Sequence, residues 1–429
     1  MPETDGGKEG PRDSAALSPP HVVIIGAGFG GLACARELGR APVKVTVIDR
    51  SNYNLFVPLL YQVATAALSP GDIAKPIRRV LARYRNIETM MADVVGIDTE
   101  RRVVRLAEGR GIAFDALVLA TGSSFNYFGH DDWARHAPGP KSLDSALHIR
   151  SSLLRAFERA EASDDAQERK SLLTFAIIGG GPTGVEMAGA MAELARHTLK
   201  RDFRRIDPTS ATILLIEAGP RLLSAFSPSL SRYAETALKH LGVTVLLNSP
   251  VDAIHAGGVV IGKERLAAST IIWGGGVRGS EAAVWLDAPR DPLGRLMVDP
   301  DLAIQGFKHI YGLGDLVHFR QDGAPLPTLA QVAKQQGIHL GRALKREFIR
   351  RQTMPPFRYR TRGDTAVIGR HAAVYQIGRW EFRGFAAWVL WALIHIYLLI
   401  GVEQRILVAV QWLWRYLTYE VGARLITYP

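Results

Sequence analysis

A short apolar strand, a glycine-rich turn and an apolar-periodic helix follow one another twice in this chain of 429 residues. The first copy is HVVII from His21 to Ile25, then GAGFGG, then LACARELG. Glycines at Gly26, Gly28, Gly30 and Gly31 permit a tight turn and bring the backbone close to a phosphate at the helix N-terminus. The next apolar run, Val43 to Ile48, ends at Asp49, eighteen positions after Gly31. An acid at that strand end accepts from the hydroxyls of an adenosine ribose, so the unit reads as a dinucleotide site and not as a chance cluster of glycines.

The second copy is LTFAII (Leu173 to Ile178), GGGPTG with Gly179, Gly181 and Gly184, and the helix start VEMAGAMAELA. Two such units imply two dinucleotides. The strand ATILLIE ends at Glu217, 33 positions after Gly184, against a usual spacing of about twenty. An extended helix and the polar segment RDFRRIDPTS account for the excess. Glu217 either binds both ribose hydroxyls of NADH, repelling the extra phosphate of NADPH, or is a solvated acid at a strand end.

Between the copies, DALVLATGSS reads as a buried strand ending in the turn Ala120, Thr121, Gly122, which would close over FAD. STIIWGGGV is its counterpart in the second unit, with Gly276 beside the nicotinamide. HIYGLGDLV then runs a strand into Gly314 and Asp315, where the acid is placed for the ribityl chain of FAD. The expected fold is therefore α/β, with two Rossmann-like dinucleotide-binding domains and a C-terminal helical membrane-binding region. Residues 21–148 and 290–345 form a discontinuous FAD domain, residues 149–289 an inserted NADH domain, and residues 346–429 the C-terminal region.

Composition decides what the remainder can be. Of the formal charge of +11, most lies in residues 341–429, which carry 14 Lys and Arg against 5 Asp and Glu. Five of the eight tryptophans (Trp380, Trp388, Trp391, Trp412, Trp414) are there too, with Tyr397, Tyr416 and Tyr419. Basic residues mixed with Trp, Tyr and long apolar runs suit an anionic lipid surface better than nucleic acid; the alternative is a solvated basic face. Cys34 is the only cysteine, which excludes dithiol chemistry and thiolate metal clusters. The first twenty residues have the composition of a disordered tail and not of a signal peptide, so the body is expected on the cytoplasmic face.

These motifs resemble those of the two-dinucleotide flavoproteins, and within them the type II, non-proton-pumping NADH:quinone oxidoreductases. The resemblance runs from about His21 to the C-terminus and rests on NYNLFVPLLYQVATAALSPGDIAKPIR, GGGPTGVE, the AQxAxQ-like PTLAQVAKQQG and the apolar C-terminal segment. It implies hydride transfer from NADH to FAD, then delivery of two electrons and two protons to a membrane quinone. WGGGV departs from the alanine-containing form found in many members.

In PTLAQVAKQQG, Thr328 is a candidate N-cap, which puts Ala330 and Gln331 in the first helical turn, its positive end toward the flavin. Gln331 and Gln335 share a face, with Gln336 turned away. Their amides either bond a quinone carbonyl or simply cover the helix. Glu186, placed in the first turn of its helix, either relays protons to quinol through a raised pKa or satisfies the helix dipole. His395 lacks a second ligand at metal spacing and reads as a core or interfacial histidine.

Two other functions share parts of this pattern. A soluble reductase serving a protein carrier has no need of the apolar, aromatic tail, and a redox-gated nucleic-acid binder predicts basic residues without long apolar runs. Sulfide:quinone, thioredoxin and lipoamide chemistry fails on the cysteine count. Phe385 to Val402, eighteen residues apolar but for His395, is at the lower limit of a membrane span. The amphipathic QRILVAVQWLWRYLTY that follows, with Arg405 and Arg415, favours attachment to one leaflet. Pairing with a second copy stays open.

Overall fold

The computed structural model describes residues 19–418 and 424–427. Most of the expected N-terminal tail lies outside the described residues, as do Tyr419 and the side chains of Arg415 and Tyr416.

The first glycine unit is β1 (His21–Ile25), α1 (Phe29–Leu38) and β2 (Lys44–Asp49), extended by β3 (Ile87–Met91) and β4 (Ala116–Leu119). All pair in parallel, β4 and β2 flanking β1 and β3 lying outside β2. Val22 to Ile25 and Ala116 to Leu119 are buried throughout, the near-continuous apolar pattern of a sheet covered on both faces. The second unit repeats this order with β5 (Thr174–Ile178), α3 (Pro182–Glu193), β6 (Thr212–Ile216), β7 (Val243–Leu246) and β8 (Thr270–Trp273). Its sheet runs β7-β6-β5-β8.

After this excursion β9 (Ile310–Gly312) returns to the first sheet, pairing Ile310 with Leu117 outside β4. The second unit thus interrupts the first, as the order of motifs predicts. The helix Leu143–Ala162 runs across the expected division at 148/149. α4 (Ala330–Arg350) then packs along α1. A Cβ at Gly337 would lie 2.1 Å from the Gly30 carbonyl, so this crossing has room only for glycine.

The C-terminal region is less helical than expected. It opens with an antiparallel sheet, β10 (Asp364–Gly369), β11 (Ala372–Ile377) and β12 (Trp380–Gly384), where tight turns at His371 and Gly378 take positive φ. Two helices follow, α5 (Phe385–Leu398) and α6 (Val402–Thr418). The eighteen-residue apolar run therefore breaks, at Leu399 to Gly401, where Gly401 has φ +95°. Among the described residues no helix is long and apolar enough to cross a membrane. Ala387, Trp391, Val408 and Trp412 are buried against the main core, while Leu393, Tyr397, Ile406, Val410, Leu413 and Trp414 are exposed.

Candidate functional site: two dinucleotide cradles and an aromatic cavity

The two glycine turns are built alike, down to individual hydrogen bonds. In the first, Gly26 has φ +99° and its Cβ would fall 2.4 Å from the Ala120 carbonyl. Gly28 is the N-cap of α1, and a Cβ on Gly31 would meet the Gly26 carbonyl at 1.9 Å. Asp49 closes the turn, its carboxylate accepting from Ala27 N–H at 2.7 Å and Ser51 N–H at 2.8 Å. Burial raises the Asp49 pKa, against the lowering effect of those two donors.

In the second turn Gly179 (φ +105°) lies against the Gly274 carbonyl, Gly181 caps α3, and a Cβ on Gly184 would be 1.8 Å from the Gly179 carbonyl. Glu217 accepts from Gly180 N–H at 2.5 Å and Gly219 N–H at 2.6 Å. It is therefore the counterpart of Asp49 and not a free acid at a strand end. Gly276 (φ +131°) ties the two units, its carbonyl accepting from Asn126 N–H at 3.1 Å.

A crevice of ≈ 910 Å³ opens from the first turn, lined by Gly26, Gly28, Asp49, Ala120, Thr121, Lys141 and Ser280 among others. Its volume, glycine-lined phosphate end and terminal acid fit an extended dinucleotide such as FAD. Gly122 takes φ +72°, and Thr121 bonds Ser280 at 2.7 Å between hydroxyls. Gly30 faces α4 and not the crevice, its Cβ position 3.2 Å from the Ala333 carbonyl. Asp315 sits behind the crevice wall, accepting from the Ser123 hydroxyl at 2.8 Å and pairing with Lys141 at 3.9 Å. Burial lowers the Lys141 pKa, and Asp315 offsets part of that shift. Nothing in local spacing marks Lys141; only the fold brings it to Asp315.

Two placements differ from expectation. Thr328 does not cap α4: the N-cap is Leu329, in extended conformation and without a side-chain cap. The Pro327–Leu329 stretch bends on itself, Leu329 N–H donating to the Pro327 carbonyl at 3.0 Å. The helix still starts at Ala330, and an uncapped N-terminus suits an electron-rich group. Glu186 is the fifth residue of α3, one turn deeper than expected, because the helix begins at Pro182. It accepts from Val367 N–H of β10 at 3.4 Å, away from the first-turn donors.

Three glutamines of α4 are engaged by the main chain. Gln331 accepts from Arg362 N–H at 3.2 Å and donates to the Gly363 carbonyl at 3.0 Å. Gln335 does the same with Arg360, at 3.1 and 2.9 Å. Buried Gln336 accepts from Gly314 N–H at 2.7 Å and so holds the turn before Asp315. The shared face of Gln331 and Gln335 thus fastens residues 360–363, which lead directly into β10.

β10, α2 (Leu60–Ala64), α3, α5 and α6 surround a second cavity of ≈ 100 Å³. Its lining includes Gln62, Glu186, Val367, Trp388, Trp391 and Trp412. Burial pushes the Glu186 carboxyl up to about 8, only partly offset by the Val367 N–H. A carboxyl with that pKa is protonated at neutral pH and available as an acid. His395 is a core histidine: buried, donating from Nδ1 to the Trp391 carbonyl at 2.7 Å, and kept neutral by burial with a pKa lowered to about 4.

Two cradles of this kind, joined by an interrupted sheet, define a two-dinucleotide oxidoreductase. Residues 20–337 match the pyridine nucleotide-disulphide oxidoreductase family model. The chain is 38% identical to the type II NADH:quinone oxidoreductase Ndh of Mycobacterium tuberculosis, over 97% of this chain and 93% of that protein. It is also 38% identical to NdhA of the same organism, covering 93% and 87%. In fold it is similar to NDH2 of Plasmodium falciparum, solved in complex with NADH: TM-score 0.86 at 20% identity, covering 95% of this chain and all of that one. The chain belongs to the type II NADH:quinone oxidoreductase family.

Proposed function

We infer that this enzyme oxidises NADH and reduces a membrane quinone through FAD. The observation that carries the reading is the duplicated cradle, one dinucleotide for each acid. FAD supplies two-electron chemistry when bound; Asp49 and the first turn would hold its adenosine and pyrophosphate, and Glu217 and the second turn would hold NADH. Cys34, the single cysteine of the chain, is buried inside α1, so this chain has no dithiol through which electrons could pass. Gln331 and Gln335 act on quinone reduction as positioning residues, through segment 360–363. Anaerobic addition of NADH should bleach the flavin, and a short-chain quinone should restore its colour. If a protein carrier restores it and quinone does not, the acceptor is wrong.

Glu217 should make the enzyme prefer NADH. A ribose phosphate there would meet a carboxylate already held by two N–H groups, at a cost of about 2–3 kcal/mol, or roughly 30- to 150-fold in kcat/KM. Glu217→Gln should narrow that ratio at least tenfold; a ratio near one in the parent enzyme would refute the assignment.

The exposed faces of α5 and α6 attach the enzyme to the cytoplasmic side of an anionic bilayer. Each large aliphatic side chain gains roughly 1.5–3 kcal/mol on leaving water, and Ile406 and Val410 lie on one exposed face of α6. In the full chain, Ile406→Glu with Val410→Glu should shift most of the protein from anionic vesicles to the supernatant. Binding that persists, or binding to DNA and not to vesicles across a salt series, would favour another surface or the nucleic-acid reading.

A further inference from the structure

In each cradle the acid is followed by a segment that folds back onto the glycine turn. In the first unit Arg50, Ser51, Tyr53, Asn54 and Leu55 line the crevice, and buried Asn54 closes the fold by donating from Nδ2 to the Ala27 carbonyl at 2.6 Å. The second unit closes at the equivalent position of its turn, but with a main-chain donor: Leu223 N–H donates to the Gly180 carbonyl at 2.8 Å. To do so Leu223 takes φ +48°, a left-handed conformation that is costly for a bulky side chain and persists only where its surroundings enforce it. The fit is close. A Cβ on Gly180 would lie 2.6 Å from the Leu222 side chain and 2.8 Å from the Glu217 carboxylate.

Arg221 enforces that conformation. Its Nη1 donates to the Phe226 carbonyl at 2.6 Å and the Ser231 hydroxyl at 3.0 Å, and its Nη2 to the Ser224 carbonyl at 2.7 Å. Ser231, buried in the helix Pro228–His240, extends the network by donating to the Leu222 carbonyl at 2.7 Å. Residues 222–226 are thus clamped on either side of Leu223. The guanidinium presents its donors in a rigid fork, so it sets the three acceptors in one geometry. An arginine four positions after a strand-end acid could otherwise pair with a ribose phosphate. Here three of its donors are spent on the protein itself.

We propose that Arg221 is a positioning residue of the NADH site: by clamping residues 222–226 it holds Leu222 and Leu223 against the second glycine turn and fixes where Glu217 and Gly180 meet the adenosine ribose. This rests on the assignment of NADH to the second cradle. Arg221 acts through its loop, with Ser231 as its partner, and does not itself touch the coenzyme.

Arg221→Met keeps an apolar stem and removes the donors. In the full-length, FAD-loaded enzyme, KM for NADH should rise about tenfold. Inhibition by ADP-ribose, which carries the adenosine end without the nicotinamide, should weaken by the same factor, and turnover at saturating NADH should change less than KM. Ser231→Ala leaves the charge in place and should shift both constants in the same direction, by about threefold. The double variant should raise KM by less than the product of the single effects, because both substitutions cut one network. A loss of flavin-bound enzyme with KM and the ADP-ribose constant unmoved would mean a purely structural role and overturns the proposal. So does an unaffected Ser231→Ala beside an affected Arg221→Met, which would put Arg221 on the coenzyme. If Arg221→Met does not fold, Ser231→Ala decides alone, and unchanged constants in it overturn the proposal. If NADH does not reduce the flavin of the parent enzyme, the assignment of NADH to the second cradle fails first and this proposal fails with it.

Discussion

Gly184→Ala is expected to abolish reduction by NADH while leaving FAD bound. The new Cβ would stand 1.8 Å from the Gly179 carbonyl oxygen, well inside contact distance. Ordinary overpacking costs about 1–3 kcal/mol because side chains can shift. Here the obstructing atom is main chain, in a turn pinned by Gly179 N–H donating to the Ile216 carbonyl at 2.8 Å, so the turn itself must open. The kcat/KM for NADH should fall by about a hundredfold or more, with the flavin spectrum retained. Gly31→Ala, 1.9 Å from the Gly26 carbonyl, should give the complementary result, a protein isolated without flavin. Gly181→Ala separates fold from ligand contact, because its Cβ has no neighbour within 4 Å. That variant should fold normally and lose affinity for NADH only if the dinucleotide passes close to Gly181. Full NADH activity in Gly184→Ala would mean that the second turn is not the nicotinamide dinucleotide site.

These glycines were legible because their constraint is local. A turn that needs positive φ at Gly26 and Gly179, a close approach at Gly31 and Gly184, and an acid one strand later leaves a fixed pattern in one dimension. The interrupted sheet was legible for a related reason: the strand carrying Gly312 runs into the Gly314–Asp315 motif that belongs with the first unit, and it pairs there with β4. The aromatic cavity has no such signature. Gln62, Glu186, Val367, Trp391 and Trp412 come from five elements, and no spacing rule connects them. The β10–β12 sheet was missed because its strands carry no cofactor motif, and their hydrogen-bonded pairing with one another is what makes them a sheet. Thr328 misled for a different reason. A threonine before a helix satisfies the capping preference, yet here the backbone bends at Pro327 and the extended residue before the helix is Leu329.

Glu186→Gln should slow reoxidation of the reduced enzyme by quinone about a hundredfold, within the range general acids contribute, and should change the shape of its pH dependence. Burial raises this carboxyl from an ordinary value of 4.5 to about 8, so it is a proton donor at pH 7 and loses that proton as pH passes 8. The parent enzyme's reoxidation rate should therefore fall above pH 8, and the glutamine variant should be flat there. Stability follows the same group with a definite sign. Because the folded pKa lies above the unfolded one, the folded state binds the proton more tightly. Its stabilising contribution is complete below about 4.5 and is lost as pH rises through about 8. Above that pH the parent carries a buried carboxylate, whereas glutamine there stays neutral. Glu186→Gln should thus melt higher than the parent at pH 9, with the difference shrinking toward pH 6. Tyr61, Glu193 and Arg370, which also line the cavity, are unchanged in the variant, so a difference between the two profiles isolates residue 186. If the parent and variant fall together above pH 8, another group controls the proton and Glu186 is only a wall of the cavity.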